Sequence, residues 1–142
     1  MFAALPLLAL PVVIYNLVAL AMPGGVQAVD AGVRLAAPLF TVRMSSHVDW
    51  PVSLGDVLLG VGLIVLFVEL LKSTESRGAA IVNHALSMLL FIACLVEFLL
   101  FPAFATSVFF LLGVMVLLDV LAGFIVTIVA ARRDIDFGPG AA

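Results

Sequence analysis

The amino-acid sequence predicts an all-α, membrane-embedded bundle of four transmembrane helices that forms a single domain. Hydrophobic residues make up 65% of the 142 residues and charged residues only 11%, whereas charged residues reach about 25% in soluble domains. Apolar runs cover residues 2–22, 54–71, 79–101 and 103–131. Because about 20 apolar residues in a helix cross a hydrocarbon core of about 30 Å, each run is long enough to span a membrane.

Residues 2–22 are predicted to be retained as a first transmembrane helix. They have no basic N-terminal region and are longer than the apolar core of about 7–15 residues found in signal peptides. Pro6 and Pro11 are expected to kink this helix, and the Pro-Gly-Gly sequence at residues 23–25 is expected to end it.

The predicted outer loop, residues 23–53, begins with a segment in which apolar side chains recur at helical spacing. The apolar set is Val26, Val29, Val33 and Ala36, and the polar set on the other side is Gln27, Asp30 and Arg34. Such a pattern predicts a short amphipathic helix that lies on the membrane surface.

The second half of this loop predicts a small β-hairpin. Residues 39–45 alternate between apolar and polar side chains, which is typical of a strand, and residues 48–52 can pair back across a turn at 45–47. Trp50, the only tryptophan, lies just before the second span, where an interfacial indole is expected.

The connections between the spans are short. Ser53 and Asp56 have the spacing of a capping box and predict the start of the second helix. Residues 72–78 predict a tight polar turn, and Pro102 separates the last two spans so closely that they must be antiparallel neighbours.

The basic residues predict the orientation. Four of the six flank one end of the spans, at Lys72, Arg77, Arg132 and Arg133, whereas Arg34 and Arg43 lie in the loop 23–53 with Asp30 and Asp49 nearby. Since cytoplasmic loops carry an excess of Lys and Arg, we expect both termini in the cytoplasm and the loop 23–53 outside.

Five polar side chains inside the apolar runs are the candidate functional residues. They are Asp119, Glu97, Glu69, His84 and Asn83. A carboxylate at the centre of a membrane helix costs about 2.5–3.5 kcal/mol on insertion scales, so each acid is expected to have a partner or a function.

The helical phase predicts which of these residues meet. Glu69 shares a face with Gly55 and Gly62 and is expected to pair with Lys72, three residues later. A second face, on the third span, combines Asn83, Ser87, Leu90, Cys94 and Glu97.

Asp119 lies near the expected midplane of the bilayer. It is expected to be uncharged, or paired with Asn16 or with the polar face of the third span. Three interpretations stay open: hydrogen bonds between helices that fix the bundle, a proton path from Glu69 and His84 through Asp119 to Glu97, or a lipid or cofactor site.

Other chemistry has little support in the sequence. The single cysteine, Cys94, cannot form an intrachain disulfide. His84 alone cannot supply paired haem ligands, and His47 with Asp49 is too few ligands for a metal site. We therefore expect no cofactor and no metal, and the absence of a basic patch argues against nucleic acid.

Residues 67–72, 83–88 and 131–134 resemble segments of four-span inner-membrane proteins of bacteria. The resemblance implies a location in a bacterial inner (plasma) membrane and implies no activity.

The expected function is that of a non-enzymatic accessory or assembly subunit of a larger membrane complex. Its expected partners are the lipid bilayer and either another membrane protein or further copies of the chain. One alternative is a small oligomeric proton-coupled transporter that uses the intramembrane carboxylates. Another is an outer-surface lipid-modifying enzyme that uses His47 and Asp49.

Overall fold

The computed structural model describes residues 5–72 and 77–136, and these residues are mostly helical. The helices are α1 (Ala9–Ala21), α2 (Ala31–Leu35), α3 (Leu54–Lys72), α4 (Arg77–Leu100) and α5 (Ser107–Asp136). The strands are β1 (Pro38–Arg43) and β2 (Asp49–Ser53), and 3-10 turns cover Gly25–Gln27 and Pro102–Phe104. Most of the predicted turn at 72–78 lies outside the described residues.

Among the described residues, three helices are long and apolar enough to cross a membrane. They are Leu54–Lys72, Val82–Leu100 and Ser107–Ile125. The long apolar helices predicted as the second, third and fourth spans are therefore present. The last of them starts later than predicted, at Ser107, because Thr106 caps the helix: its Oγ1 accepts a hydrogen bond of 3.2 Å from the backbone nitrogen of Phe109.

The predicted first span is shorter than expected, so the count of four transmembrane helices is not confirmed. The helix begins only at Ala9 and has 13 residues, a length of about 20 Å. The expected kink at the prolines is wrong. Pro6 precedes the helix, and Pro11 lies in its first turn. Backbone N–H groups in the first turn make no hydrogen bond within the helix, so a proline there removes none.

The other two long helices, α3 and α4, both pack closely against α5. A Cβ atom built on Gly55 would lie 2.7 Å from Val108, and one built on Gly62 would lie 2.9 Å from the sulfur of Met115. From the first contact to the second, the residue number rises by seven on both helices, so α3 runs parallel to α5. α4 is the antiparallel neighbour of α5, as predicted.

An aromatic cluster closes one end of the bundle. Tyr15 packs against Phe104 and Phe109, with ring centroids 5.6 and 4.7 Å away. Its hydroxyl donates a 2.9 Å hydrogen bond to the carbonyl of Ala103 and lies 2.7 Å from Oγ1 of Thr106. We call this the outer end, and the end at Lys72 the inner end.

The segment before the hairpin contains a short helix, α2, as predicted. Ala28, Ala31 and Leu35 are buried against the rest of the protein, whereas Val29 and Val33 of the predicted apolar face are 86% and 77% exposed. These two valines are therefore free of contacts with the bundle, as a face directed at a membrane surface would be. Its contact with a membrane surface stays a prediction.

The predicted hairpin is confirmed. β1 and β2 are antiparallel, with Val42 opposite Trp50 and Arg43 opposite Asp49. The turn is closed by a 2.9 Å hydrogen bond from the nitrogen of Met44 to the carbonyl of Val48. His47 stands in the turn with a φ of 64°.

The capping box at the start of α3 is confirmed as well. Oγ of Ser53 accepts a 3.1 Å hydrogen bond from the nitrogen of Asp56, and Oδ2 of Asp56 accepts a 2.9 Å hydrogen bond from the nitrogen of Ser53. Since β2 ends at Ser53 and α3 begins at Leu54, this cap joins strand to helix without a linker.

Candidate functional site: polar pairs inside the bundle

The inner polar cluster is centred on Glu69, whose side chain is fully buried. The predicted pair with Lys72 is present, with Nζ 3.2 Å from Oε1. Asn83 of α4 donates a second hydrogen bond, of 2.7 Å, to the same oxygen. The cluster therefore ties α3 to α4 and gives a buried carboxylate two side-chain donors.

The same cluster holds the beginning of the described chain. The backbone nitrogen of Leu7 donates to Oε2 of Glu69, and Nζ of Lys72 donates a 2.6 Å hydrogen bond to the carbonyl of Leu5. α1 has no side-chain cap of its own. A side chain from another helix therefore satisfies a backbone donor next to its start.

The central pair joins Ser87 of α4 to Asp119 of α5. Oγ of Ser87 lies 2.6 Å from Oδ2 of Asp119, and both residues are fully buried. The predicted partner face of Asp119 is correct, because Ser87 belongs to it. Asn16, the other predicted partner, is engaged elsewhere.

His84 lies one turn before Ser87 and packs on Gly123, one turn after Asp119. A Cβ atom built on Gly123 would overlap the imidazole ring of His84, so only a glycine leaves room for the ring. Both ring nitrogens of His84 and Oδ1 of Asp119 are buried without a hydrogen-bond partner. His84 and Asp119 thus lie in the same buried layer.

The outer polar pair joins Glu97 of α4 to Asn16 of α1. Nδ2 of Asn16 lies 3.2 Å from Oε2 of Glu97, and it also donates a 3.2 Å hydrogen bond to the carbonyl of Val12. This pair is separate from the central one. Ser87 and Glu97 are ten residues apart on α4, a distance of about 15 Å along the helix.

An apolar layer fills the core between the central and outer pairs. It consists of Cys94, Leu112, Met115 and Val116, each 7% exposed or less. The structure therefore brings Glu69 together with Asn83, and His84 together with Asp119, but it keeps Glu97 apart from both groups.

An apolar groove runs along the outside of the α4–α5 pair, in its outer half. It has a volume of about 200 Å³. It is lined by Phe91, Cys94, Leu95, Phe98, Leu99, Phe109, Phe110, Gly113, Val114 and Leu117. A Cβ atom built on Gly113 would contact nothing within 4 Å, so the groove is open at this glycine.

Some of these contacts have no counterpart among the sequence predictions. Tyr15 and Thr106 form a polar contact between α1 and the start of α5. The sequence feature that could have indicated this contact is the single tyrosine of an apolar helix, because a buried phenol needs a hydrogen-bond partner. Gly123 follows Asp119 by one helical turn, but its contact with His84 depends on the relative position of α4 and α5, which the sequence does not show.

The loop pair His47 and Asp49 does not form a larger cluster. Asp49 lies 3.4 Å from Arg43 across the hairpin. Within the described part of the chain, no three His, Cys, Asp or Glu side chains converge as metal ligands would. Comparisons with protein-family models, curated proteins and solved structures find no match to this chain.

Proposed function

We propose that this chain is a non-enzymatic accessory or assembly subunit of a larger membrane complex. In this proposal it resides in a bacterial inner membrane with both termini in the cytoplasm. A transmembrane helix of the partner docks in the apolar groove between α4 and α5. The groove around Gly113 is the observation that carries the proposal.

The contacts of α1 support a fourth crossing of the membrane. Leu7 lies beside Glu69, near the inner end of α3, and Tyr15 lies beside Thr106 at the outer end. The short helix and the turn before it therefore follow the bundle from the inner end to the outer end. A segment packed in this way can cross with less regular helix because neighbouring helices satisfy its backbone.

The groove suits a helix better than it suits a polar substrate. Its wall is almost entirely apolar, and the absence of a Cβ atom at Gly113 allows another helix to approach closely. Helix association in lipid depends on such close packing, since burying apolar side chains gives little gain when lipid tails already surround them.

The intramembrane carboxylates support a structural role. Glu69, Glu97 and Asp119 each accept a hydrogen bond from another segment of the same chain. The apolar layer around Met115 separates Asp119 from Glu97. A proton path along these acids would have to cross this layer, whereas a bundle fixed by polar pairs needs no continuity between them.

The experiment compares two glycines that both face open space, Gly113 in the groove and Gly60 on α3. Neither has another part of the chain within 4 Å of an added Cβ, so Gly113→Phe and Gly60→Phe both place the first side-chain atom in open space. Tagged protein at native abundance is extracted gently, sized by native electrophoresis and analysed by mass spectrometry.

We expect the unmodified chain to migrate in a large assembly with a stoichiometric partner. Gly113→Phe should release the chain from that assembly, and Gly60→Phe should not. If both variants remain in the assembly, the groove is not the docking site. If the unmodified chain migrates as a homo-oligomer, the subunit function is wrong.

A second function, proton-coupled transport by an oligomer, is favoured by one observation. His84 and Asp119 keep three buried polar atoms without a partner, and unpaired ionisable groups inside a membrane are typical of transport sites. Its test is proton flux in vesicles, where Asp119→Asn should abolish flux and leave folding intact. Flux that survives this substitution would exclude Asp119 as the proton carrier.

A further inference from the structure

The hairpin has two chemically different faces. Its register places Val42 opposite Trp50 on one face and Arg43 opposite Asp49 on the other. The first face also carries Phe40, Met44 and Val48, and these five apolar side chains are 38–63% exposed. We call this first face the apolar face of the hairpin. The opposite face carries the ion pair between Arg43 and Asp49.

The base of the hairpin is fixed to a helix that can span a membrane. β2 passes into α3 between Ser53 and Leu54 with no residue in between. Val52 and Ser53 are buried, whereas the rest of both strands is exposed. The apolar face therefore begins within a few residues of the level at which α3 leaves the hydrocarbon.

We propose that the hairpin lies on the outer surface of the lipid bilayer, with its apolar face against the boundary between headgroups and acyl chains. This inference rests on the proposed membrane embedding of α3. It adds a second lipid contact to the protein, made by a β-hairpin outside the spanning helices.

The chemistry of the hairpin matches this boundary better than either water or hydrocarbon. An exposed cluster of five large apolar side chains is unfavourable in water. A two-stranded sheet also has two edges with unpaired N–H and C=O groups, which hydrocarbon cannot satisfy. At the boundary, headgroups and water satisfy the edges while Trp50 and Phe40 contact acyl chains, and indole rings concentrate at this depth.

The join to α3 favours lipid over a protein as the occupant. Trp50 is four residues before Leu54, and a strand rises about 3.3 Å per residue. The indole therefore lies within about 13 Å of the start of the helix, along the strand. The bilayer is continuous around that helix, so no further molecule is needed to cover the apolar face.

The experiment uses Trp50, the only tryptophan of the chain. The full chain is reconstituted in phosphatidylcholine vesicles whose acyl chains carry bromine either near the headgroup or deep in the core. Tryptophan emission is then measured in both, and separately with iodide added to the water outside. We expect strong loss of emission with the shallow bromines, less with the deep ones and little with iodide.

The matched control moves the indole to the opposite face of the same strand pair. In the variant Trp50→Phe with Thr41→Trp, the only indole stands on the face of the ion pair. We expect iodide to quench it strongly and bromine weakly. Circular dichroism of both proteins checks that the fold is kept.

Two results would overturn the inference. One is quenching of Trp50 by iodide with no effect of bromine, which would place the apolar face in water, as it would be if a protein partner normally covered it. The other is equal quenching in both variants. Alkaline extraction of the same vesicles tests the membrane embedding separately, since only an integral protein stays in the pellet.

Discussion

The backbone nitrogen of Leu7 donates a 2.5 Å hydrogen bond to the carboxylate of Glu69, 62 residues later in the chain. Because Lys72 and Asn83 contact the same carboxylate, one side chain joins the beginning of the described chain, α3 and α4. Its removal should therefore affect three segments together.

Glu69→Ala should destabilise the folded protein by about 1–3 kcal/mol, because it leaves the buried amide of Asn83 and the backbone N–H of Leu7 without their acceptor. Glu69→Gln keeps a carbonyl acceptor for Leu7 and should cost less. The free energy of unfolding in mild detergent, from denaturant titration, measures both. Equal losses in the two variants would show that the hydrogen bonds contribute nothing beyond the charge.

Ser87→Ala should cost about 1–3 kcal/mol of unfolding free energy, because it leaves a buried oxygen of Asp119 without its donor. Combining it with Asp119→Leu removes both polar groups and should recover most of the loss. The same denaturant titration measures the single and the double variant. A double variant less stable than Ser87→Ala would mean that Asp119 has a further stabilising contact.

Gly123→Ala should destabilise the bundle by about 1–3 kcal/mol, because the added methyl group overlaps the ring of His84. Gly113→Ala is the control, since its methyl group meets open space. In a His84→Ala background the cost at Gly123 should largely disappear, which a double-mutant cycle detects. Additive losses would show that the ring moves aside freely.

Ser53→Ala should cost about 0.5–2 kcal/mol, because it removes the acceptor for the first free N–H groups of α3. Ser53→Thr keeps a hydroxyl and should retain most of the stability. Hydrogen exchange at the amide of Asp56 reports the cap locally and should become faster only in the alanine variant. Unchanged exchange would show that water replaces the cap at no cost.

Features that depend on neighbouring residues were predictable from the sequence. The pair of Glu69 and Lys72, the capping box at Ser53 and the hairpin turn near His47 each need only residues a few positions apart. The antiparallel packing of α4 and α5 followed in the same way, since a linker this short leaves no other arrangement.

Features that depend on tertiary packing were not predictable. The burial of Ala28, Ala31 and Leu35 against the bundle was not indicated by the helical spacing of residues 26–36. The partner of Glu97 is Asn16, 81 residues earlier. No periodicity indicates a contact between two helices whose relative rotation is unknown. The length of α1 was overestimated at its start, because apolar character alone does not show that the helix begins only after Pro6, at Ala9.

The order of the polar partners along the chain has a consequence for biosynthesis. Glu97 bonds to Asn16 and Asp119 bonds to Ser87, so each of these acids follows its partner in the chain. Glu69 likewise follows its partner Leu7, and its second partner, Lys72, comes only three residues later in the chain. In the proposed membrane protein, each carboxylate would enter the translocon when a donor for it is already in place or about to emerge, since the ribosome releases the chain from its N-terminus. The bundle can therefore assemble helix by helix, without a stage at which a buried charge has to wait for a partner not yet made.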